Sequence, residues 1–333
     1  MHVLITGGAG FIGSHIAAYH QAKGDLVHIV DDLSTGSLQN ITLLLNEPNV
    51  RFHEADILVW PELERAAAWA DRIYHMAAVV GMRRVLAEPT KTLAINIAGC
   101  ERLLRAVRAG GWHPRIIIAS TSEVYGAGDH AVYKHEHFEE DADLIFHSGF
   151  NSRQNYALSK FVDEALALSY AHMHGFQVTL TRFFNTIGPR QTGRYGMVVP
   201  RFVEQAVDGA PITVYGDGKQ TRSFIDVRDT VRALDLLAGL PATAGEVVNV
   251  GNDREISILE LAELVRDRAG SRSPIQFVSY EDAYGAGFED CRRRRPVLDK
   301  LRSLTHMSFQ WTLEDTIDEL IAAARRKREE EAA

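Results

Sequence analysis

Three regularly spaced glycines close to the start of this chain constrain its fold more than any other feature. The run Gly7-Gly8-Ala9-Gly10-Phe11-Ile12-Gly13 follows an apolar strand-like segment, His2 to Thr6, and precedes an amphipathic helical pattern. Gly7 permits a tight turn, Gly10 lets a pyrophosphate approach the backbone, and Gly13 lets the helix pack closely on the strand. The run therefore predicts a dinucleotide phosphate site at a helix N-terminus.

A second strand pattern, Val27 to Asp32, places an acidic residue where such a loop needs one. Asp31 follows the glycines by about 20 residues, the spacing expected of a carboxylate that binds the adenosine ribose. Its negative charge would repel the additional phosphate of NADP, so we predict NAD as the cofactor. Asp56, after the third strand, is a weaker candidate for binding adenine, and capping of a turn is nearly as good a role for it.

Six short β-branched segments alternate with helical patterns in the first half of the chain, which predicts βαβ units around a parallel sheet. The segments are apolar throughout rather than alternating, so helices should cover both faces of a doubly wound sheet, and we expect the strand order 3-2-1-4-5-6. They run from His2 to Thr6, Val27 to Asp32, Val50 to Asp56, Arg72 to Ala78, Ile116 to Ser120 and Val178 to Phe184.

Beyond Phe184 the pattern changes to turns that contain glycine or proline, with isolated helices between them. This change predicts an α/β fold with two parts, a dinucleotide-binding domain at 1–184 and mainly a smaller substrate-binding lobe at 185–333. Some strands of the second part are expected to return to the first. We expect helices at 198–208, 257–269 and 313–327, and strands at 212–215 and 247–250.

The composition narrows the class of protein. Hydrophobic residues make up 46% and charged residues 24%, as in globular proteins, and the net charge of -8 argues against nucleic acid and anionic membranes as partners. The two cysteines, Cys100 and Cys291, predict neither a disulfide framework nor a metal site. No apolar run is long enough to span a membrane, and the first residues run directly into a strand. We therefore expect a cytoplasmic protein without a cleaved leader.

A tyrosine and a lysine four residues apart supply a candidate catalytic pair. Tyr156 and Lys160 lie in a helical pattern, which puts both side chains on one face. The ammonium and a nicotinamide cation would favour the phenolate of Tyr156, and Lys160 can also bind the nicotinamide ribose. Thr121 ends a parallel strand, where doubly wound sheets bind ligands. Its hydroxyl could hold a substrate oxygen against Tyr156, so oxidation of an alcohol would need no metal.

Together these features resemble the extended short-chain dehydrogenase/reductase family, and in particular its sugar-nucleotide epimerases, dehydratases and decarboxylases, over nearly the whole chain. The resemblance implies a Rossmann fold, a UDP-sugar substrate, NAD that stays bound and is recycled, and catalytic roles for Thr121, Tyr156 and Lys160. It also implies a homodimer formed through helices near 92–109 and 156–174. The further cofactor-binding candidates are Phe11, Ile12, Asp32, Ile57, Ala77, Ala78 and Asn96. The substrate-binding candidates are Ser122, Asn185, Arg190, Tyr215, Gln220, Arg222 and Arg294.

The run Thr121-Ser-Glu-Val-Tyr-Gly separates the reactions of this group. All members first oxidise sugar C4, but dehydratases follow the catalytic threonine with Asp-Glu, whereas this chain has Ser122-Glu123. The run resembles UDP-glucuronate decarboxylases, in which the 4-keto sugar is a β-keto acid that loses carbon dioxide. Glu123 is thus a catalytic candidate, although it could also cap the next turn. Either UDP-xylose or the 4-keto pentose could be released.

Other outcomes stay open at this point. A 4-epimerase acting on UDP-glucuronate or UDP-glucose needs the same threonine, tyrosine and lysine, and a 4,6-dehydratase or a catalytically silent NAD-binding protein ranks lower. The loop Val79-Val80-Gly81-Met82-Arg83 lacks the Ser-Pro and tyrosine pattern of many decarboxylases. Arg83 or Arg190 could replace the lost carboxylate contact. Arg294 lies in a basic run that could bind the diphosphate or the carboxylate, or could form a solvated loop.

Overall fold

A seven-stranded parallel sheet forms the centre of the computed structural model, which describes residues 1–126, 137–146, 154–193, 196–285 and 291–332. The strand order is β3-β2-β1-β4-β5-β6-β11, which confirms the expected order of the first six strands. The strands are β1 (His2–Thr6), β2 (Leu26–Asp31), β3 (Val50–Glu54), β4 (Arg72–His75), β5 (Arg115–Thr121), β6 (Gln177–Phe183) and β11 (Glu246–Val250).

Helices cover both faces of the sheet, because its central strands are apolar on both sides. One face packs against α1 (Phe11–Ala22), α7 (Val227–Gly239) and α10 (Asp299–Thr305). The other face packs against α2 (Leu63–Trp69), α4 (Pro89–Gly110) and α5 (Gln154–His174), and the short α3 (Met82–Ala87) precedes α4. The predicted doubly wound α/β class is confirmed.

The smaller lobe has its own apolar core, which includes Phe202, Leu261 and Ile317. Its helices are α6 (Val198–Asp208), α8 (Ile258–Arg268), α9 (Tyr280–Tyr284) and α11 (Leu313–Ala332). Its strands form three small sheets, in which β7 pairs with β10, β8 with β13, and β9 with both β12 and β14. They are β7 (Thr186–Ile187), β8 (Ile212–Tyr215), β9 (Thr221–Ser223), β10 (Ile225–Asp226), β12 (Glu255–Ser257), β13 (Ile275–Val278) and β14 (Arg293–Arg294).

The chain beyond residue 184 contributes to both parts of the molecule. The expected strand at 247–250 is present as β11, but it extends the main sheet beside β6, and α7, which we did not predict, packs beside α1. The fourth strand ends at His75 rather than Ala78, and Asn96 binds the segment that follows it at Val79. The last helix continues to Ala332. Among the described residues, none of the helices has the length and apolarity needed to cross a membrane.

Candidate active site

The glycine loop joins β1 to α1 as a close-packed turn. Gly7 has φ +70°, and a Cβ atom there would lie 2.6 Å from the amide nitrogen of Ala77. A Cβ atom on Gly13 would overlap the carbonyl oxygen of Gly7. Gly10 is the N-cap of α1 and provides no side-chain cap, so the first amides of the helix, including those of Phe11 and Ile12, are available to an anion.

Asp31, the last residue of β2, is held firmly beside this loop. One carboxylate oxygen accepts the amide of Ala9 at 2.9 Å and the other accepts the amide of Leu33 at 2.8 Å. Burial raises the pKa of Asp31, while these two amides act in the opposite direction. A carboxylate has about four acceptor sites, so after these amides and that of Gly10 it can still accept a hydrogen bond from a ribose hydroxyl.

The other cofactor-binding candidates divide into two groups. Asp32 and Asp56 are exposed, and each accepts a hydrogen bond from the amide two residues later, which is the capping geometry considered for Asp56. Asn96 is buried on α4, where its amide group bonds both backbone polar groups of Val79 and the hydroxyl of Ser159. Asn96 therefore orders the segment after β4. The same segment carries Ala77 and Ala78, while Ile57 is buried against α4.

The three catalytic candidates meet where β5 ends. Thr121 is the last residue of β5, and its hydroxyl lies close to the phenol of Tyr156 near the start of α5. Lys160 follows one turn later on the same helix and is 1% exposed. Burial raises the pKa of Tyr156, and the charge of Lys160 and the nearby Thr121 hydroxyl oppose that rise only in part. The protein alone thus holds Tyr156 as a phenol, and the expected phenolate depends on the cofactor's positive charge.

An additional carboxylate, absent from our sequence prediction, faces Lys160. The Nζ atom of Lys160 lies 3.0 Å from Oδ2 of Asp163, and both side chains are almost completely buried. Burial alone would lower the pKa of Lys160, but Asp163 and Tyr156 outweigh burial and the pKa is raised. The lysine is therefore an ammonium at neutral pH. The i, i+3 spacing of Lys160 and Asp163 on a helix is the sequence signal that could have predicted this contact.

Glu123 lies in a single 3₁₀ turn, Ser122–Tyr125, directly after Thr121. Its carboxylate forms an ion pair with Arg294, although the two residues are 171 positions apart in the chain. The charge of Glu123 also raises the pKa of Tyr156, which places it close to the phenol. Ser122 is buried in the same turn. The structure thus brings Thr121, Glu123 and Arg294 together beside the Tyr/Lys pair.

The small sheet of the second lobe aligns two of the candidate arginines. Strands β9 and β14 are parallel, and their register puts Arg294 opposite Arg222. Side chains at paired positions of adjacent strands point to the same face. Asn185, just after β6, donates to the carbonyl of Ser223 at 2.9 Å and so connects the main sheet to β9. Arg222 and Arg294 therefore lie side by side on β9 and β14, with Glu123 paired to Arg294.

The remaining substrate-binding candidates, Gln220, Tyr215 and Arg190, lie in separate parts of the structure. Gln220 donates to the carbonyl of Tyr215 at 2.9 Å, and its buried side-chain oxygen has no hydrogen-bond partner among the described residues. The ring of Tyr215 lies under the guanidinium of Arg201 at 3.9 Å. Arg190 donates to the carbonyl of Ser14 on α1 at 3.0 Å, so it contacts the helix of the glycine loop. The side chain of Arg83 lies outside the described residues.

A buried cluster of Arg182, Glu164 and Ser120, called the bracket, joins α5 to the sheet. Arg182 of β6 forms two hydrogen bonds to Glu164 of α5, at 2.9 and 2.8 Å, and its guanidinium stacks on the ring of Tyr125 at 4.7 Å. The Ser120 hydroxyl donates to the same carboxylate. These contacts attach α5 to β5 and β6 at Glu164, two helical turns after Tyr156. Sequence reasoning missed it, although a charged residue inside an apolar strand is a usable signal.

Comparison with known proteins agrees with this geometry. Residues 3–251 match the model of the NAD dependent epimerase/dehydratase family. The chain belongs to this family. A UDP-N-acetyl-alpha-D-glucosaminuronate decarboxylase from Bacillus cytotoxicus is 36% identical over 94% of this chain and 96% of the relative. UDP-glucuronic acid decarboxylase 1 of Xenopus tropicalis is 34% identical over 99% of this chain and 73% of the relative.

Solved structures of the family show the same fold. UDP-glucuronic acid 4-epimerase from Bacillus cereus, in complex with UDP-glucuronic acid and NAD, has a TM-score of 0.86 at 25% identity, and covers 98% of this chain and 100% of its own. A dTDP-glucose 4,6-dehydratase from Streptomyces venezuelae with NAD bound has a TM-score of 0.87 at 28% identity, with 99% and 98% covered. The extended short-chain dehydrogenase/reductase resemblance is confirmed, and the chain is an NAD-dependent enzyme.

The residues present fit the family's cofactor. The N-terminus of α1 has no side-chain cap, and among the described residues a Cβ atom on Gly10 would meet only the carbonyl oxygen of Gly7 within 4 Å. Asp31 supplies the acidic group that suits a free ribose and opposes a phosphate on it. Bound NAD supplies a hydride acceptor and later a hydride donor. Tyr156 and Lys160 are the side chains of this family member that would orient its nicotinamide ribose and receive the substrate proton.

Proposed function

We propose that the protein is a UDP-glucuronate decarboxylase that oxidises sugar C4 and then releases carbon dioxide. One observation carries this choice within the family, namely the pairing of Glu123 with Arg294 beside Thr121 and Tyr156. Arg294 is a cation next to the place where a substrate carboxylate would enter. Glu123 is its partner in the free protein and can release Arg294 to the substrate. Relatives named as decarboxylases, similar over most of the chain, support the same reaction.

The side chains divide the reaction into steps. Thr121 and Tyr156 bind the C4 hydroxyl, and Tyr156 takes its proton as the hydride leaves C4. The resulting 4-keto sugar acid is a β-keto acid, so its C5–carboxylate bond breaks with release of carbon dioxide and forms an enolate at C4. Hydrogen bonds from Thr121 and Tyr156 stabilise the enolate oxygen, and a proton added at C5 completes the 4-keto pentose. Return of the hydride would give UDP-xylose.

The two arginines on β9 and β14 suit the rest of the substrate. Arg222 and Arg294 are adjacent in register, and guanidinium groups bind diphosphate and carboxylate oxygens in bidentate pairs. Asn185 lies next to β9, where its amide is also close to this strand's backbone. We assign Arg222 and Asn185 to the diphosphate and Arg294 to the sugar carboxylate. Tyr215 and Gln220 then lie on the nucleoside side, and the unpaired Gln220 oxygen is an acceptor for a base or ribose donor.

Product analysis by mass spectrometry tests the proposal directly. Purified protein with NAD should convert UDP-glucuronate to a UDP-pentose and release one carbon dioxide per turnover. A UDP-hexuronate of unchanged mass would establish epimerisation, and a product lighter by one water would establish dehydration. UDP-N-acetylglucosaminuronate should be supplied in parallel, because one relative is named for that substrate. A product lighter by two hydrogens than UDP-xylose identifies release at the 4-keto stage.

Two variants separate oxidation from decarboxylation. Tyr156→Phe keeps the ring but lacks the base, so C4 oxidation should fall by about 10²–10⁴-fold while NAD stays bound. Glu123→Gln keeps the shape of the ion-pair partner without its charge, so it should alter decarboxylation and leave the capacity for C4 oxidation. Full activity of Tyr156→Phe would refute the assignment of the base. Glu101→Gln, which removes an exposed carboxylate from α4, serves as the control.

A 4-epimerase is the second candidate. It would use the same Thr121, Tyr156 and Lys160 and would rotate the keto sugar before the hydride returns, and a solved UDP-glucuronic acid 4-epimerase shares the whole fold. We rank it second because of the Glu123–Arg294 pair. A cation that holds the substrate carboxylate would orient the C5–carboxylate bond for cleavage. The unchanged-mass outcome of the product assay identifies this alternative.

We also propose a homodimer in the cytoplasm. Helices α4 and α5 pack side by side on one face of the sheet, and two large apolar residues of α5 are exposed, Phe161 (39%) and Met173 (73%). Light scattering should give twice the chain mass, and Phe161→Asp should halve it. Both cysteines of the chain are buried and outside any disulfide, as is typical of proteins in a reducing compartment.

A further inference from the structure

The carboxylate of Asp163 forms a buried ion pair with the catalytic lysine. Asp163 and Lys160 are each 1% exposed, and the Nζ to Oδ2 distance is 3.0 Å. The second carboxylate oxygen, Oδ1, is buried without a hydrogen-bond partner among the described residues. A buried acid with one unsatisfied oxygen is an expensive feature, since removing a charge from water requires compensation. Burial raises the pKa of Asp163, and the charge of Lys160 and its hydrogen bond act against that rise. Lys160 is thus the compensating group, and the two side chains act as a unit.

The oxidation chemistry does not require a carboxylate at this position. The lysine contributes to catalysis through its positive charge, which favours the phenolate of Tyr156, and a negative charge 3.0 Å from that ammonium offsets part of its field. At Tyr156 the charge of Asp163 opposes that of Lys160, because Asp163 raises the pKa of the phenol. The pair therefore moderates the effect of Lys160 on the base.

Other charged or titratable groups near the pair are already neutral or compensated. From α4, Cys100 contacts Asp163, and burial raises the pKa of its thiol. From β4, His75 faces Lys160 as a neutral ring, because burial and then the charge of Lys160 lower its pKa to about 3. Beyond β5, Glu123 acts on Tyr156 but is paired with Arg294. On α5 itself, Glu164 is paired with Arg182.

We propose that Asp163 is a positioning residue that holds the Lys160 ammonium in place on α5 and offsets part of its charge at the catalytic tyrosine. The assignment rests on the proposed role of Tyr156 as the base, and it applies to any reaction that begins with C4 oxidation. Asp163 contacts neither the reacting atoms nor the phenol. It acts through the lysine. Tyr156 also raises the pKa of Lys160, so without Asp163 the lysine should stay charged and expose Tyr156 to its full charge.

A direct titration of Tyr156 tests this role without any sugar nucleotide. Phenolate absorbance is followed against pH in the NAD-loaded protein, and the curve of Tyr156→Phe is subtracted to isolate the one tyrosine. In Asp163→Asn, whose amide oxygen can still accept the lysine hydrogen bond, the midpoint should fall by about 1 pH unit. The acid limb of the pH profile of kcat should move down equally. A midpoint that stays or rises would overturn the proposal.

Further variants distinguish this electrostatic role from a purely structural one. Asp163→Ser removes the same charge with a smaller side chain, so it should reproduce the shift if Asp163→Asn folds poorly, which thermal unfolding will show. Asp163→Glu restores the charge and should return the midpoint towards that of the parent. Glu101→Gln removes an equal charge from α4 and should not move it. Because the titration needs no sugar, the midpoint can shift even if UDP-glucuronate is not the substrate.

Discussion

Acidification should destabilise this protein through buried histidines, and His75 offers the sharpest test. Its ring is 1% exposed at the end of β4, Nδ1 lies 2.7 Å from the Thr6 hydroxyl, and Nε2 has no hydrogen-bond partner among the described residues. Burial, and secondly the charge of Lys160, lower its pKa to about 3. The unfolded chain, with a histidine pKa near 6.5, therefore binds the proton more readily than the folded protein does.

The sign and the magnitude follow from linkage. Where the unfolded state binds more protons, the free energy of unfolding rises with pH, so stability falls as the pH drops below 6.5 and continues to fall down to about 3. At about 1.4 kcal/mol per pH unit, this one histidine removes about 2 kcal/mol between pH 7.5 and pH 5. His28, whose pKa is lowered to about 4 by burial and by His53, adds a similar loss over the same interval.

Urea unfolding at a series of pH values and at fixed protein concentration measures the effect. His75→Gln should be less stable than the parent at pH 7.5 because of altered packing, but its further loss down to pH 5 should be smaller by about 2 kcal/mol. His172→Gln, which replaces an exposed histidine on α5, is the matched control and should retain the parental slope. An unchanged slope in His75→Gln would show that the neutral buried ring is not the source of acid sensitivity.

Other substitutions address the bracket and the cofactor loop. Glu164→Gln leaves Arg182 as an uncompensated buried cation and should lower the free energy of unfolding by about 3–5 kcal/mol in urea, whereas a change below about 1 kcal/mol would contradict the bracket. Gly13→Ala places a Cβ atom against Gly7, so NAD affinity by calorimetry should fall at least about tenfold. Asp31→Asn removes the charge that repels a ribose phosphate, and the ratio of NADP to NAD affinity should rise by about tenfold; an unchanged ratio would refute that role.

Much of the fold could be predicted because its signals are local. The six strands of the first domain are short apolar runs between helical patterns, and β-branched periodicity depends on neighbouring residues alone. The seventh strand, β11, was recognised as a strand, but its place beside β6 depends on register with Thr179 and the residues that follow. Helix α7 escaped prediction even though Asp226 caps it, because a capping residue alone does not distinguish a helix from a turn.

The candidate site also combines features that the sequence predicts with contacts that only the fold creates. Tyr156 and Lys160 are one helical turn apart, so their spacing reports their proximity, and the glycine loop with Asp31 follows one βαβ unit. The pairing of Glu123 with Arg294 spans 171 positions and exists only because β14 aligns with β9. No spacing rule connects such residues. The roles assigned to the individual site residues stay predictions until the variants above are measured.

The amino-acid sequence by itself determined that this chain binds NAD in a βαβ unit and carries a Tyr/Lys pair on one helix face, because those features depend on contacts between residues close in the chain. Only the tertiary structure decided what surrounds the pair. It placed Asp163 against Lys160 inside the protein, neutralised Glu123 with Arg294, and held α5 on the sheet through Glu164 and Arg182. Charges acquire such effects through burial and distance, and both are properties of the folded chain.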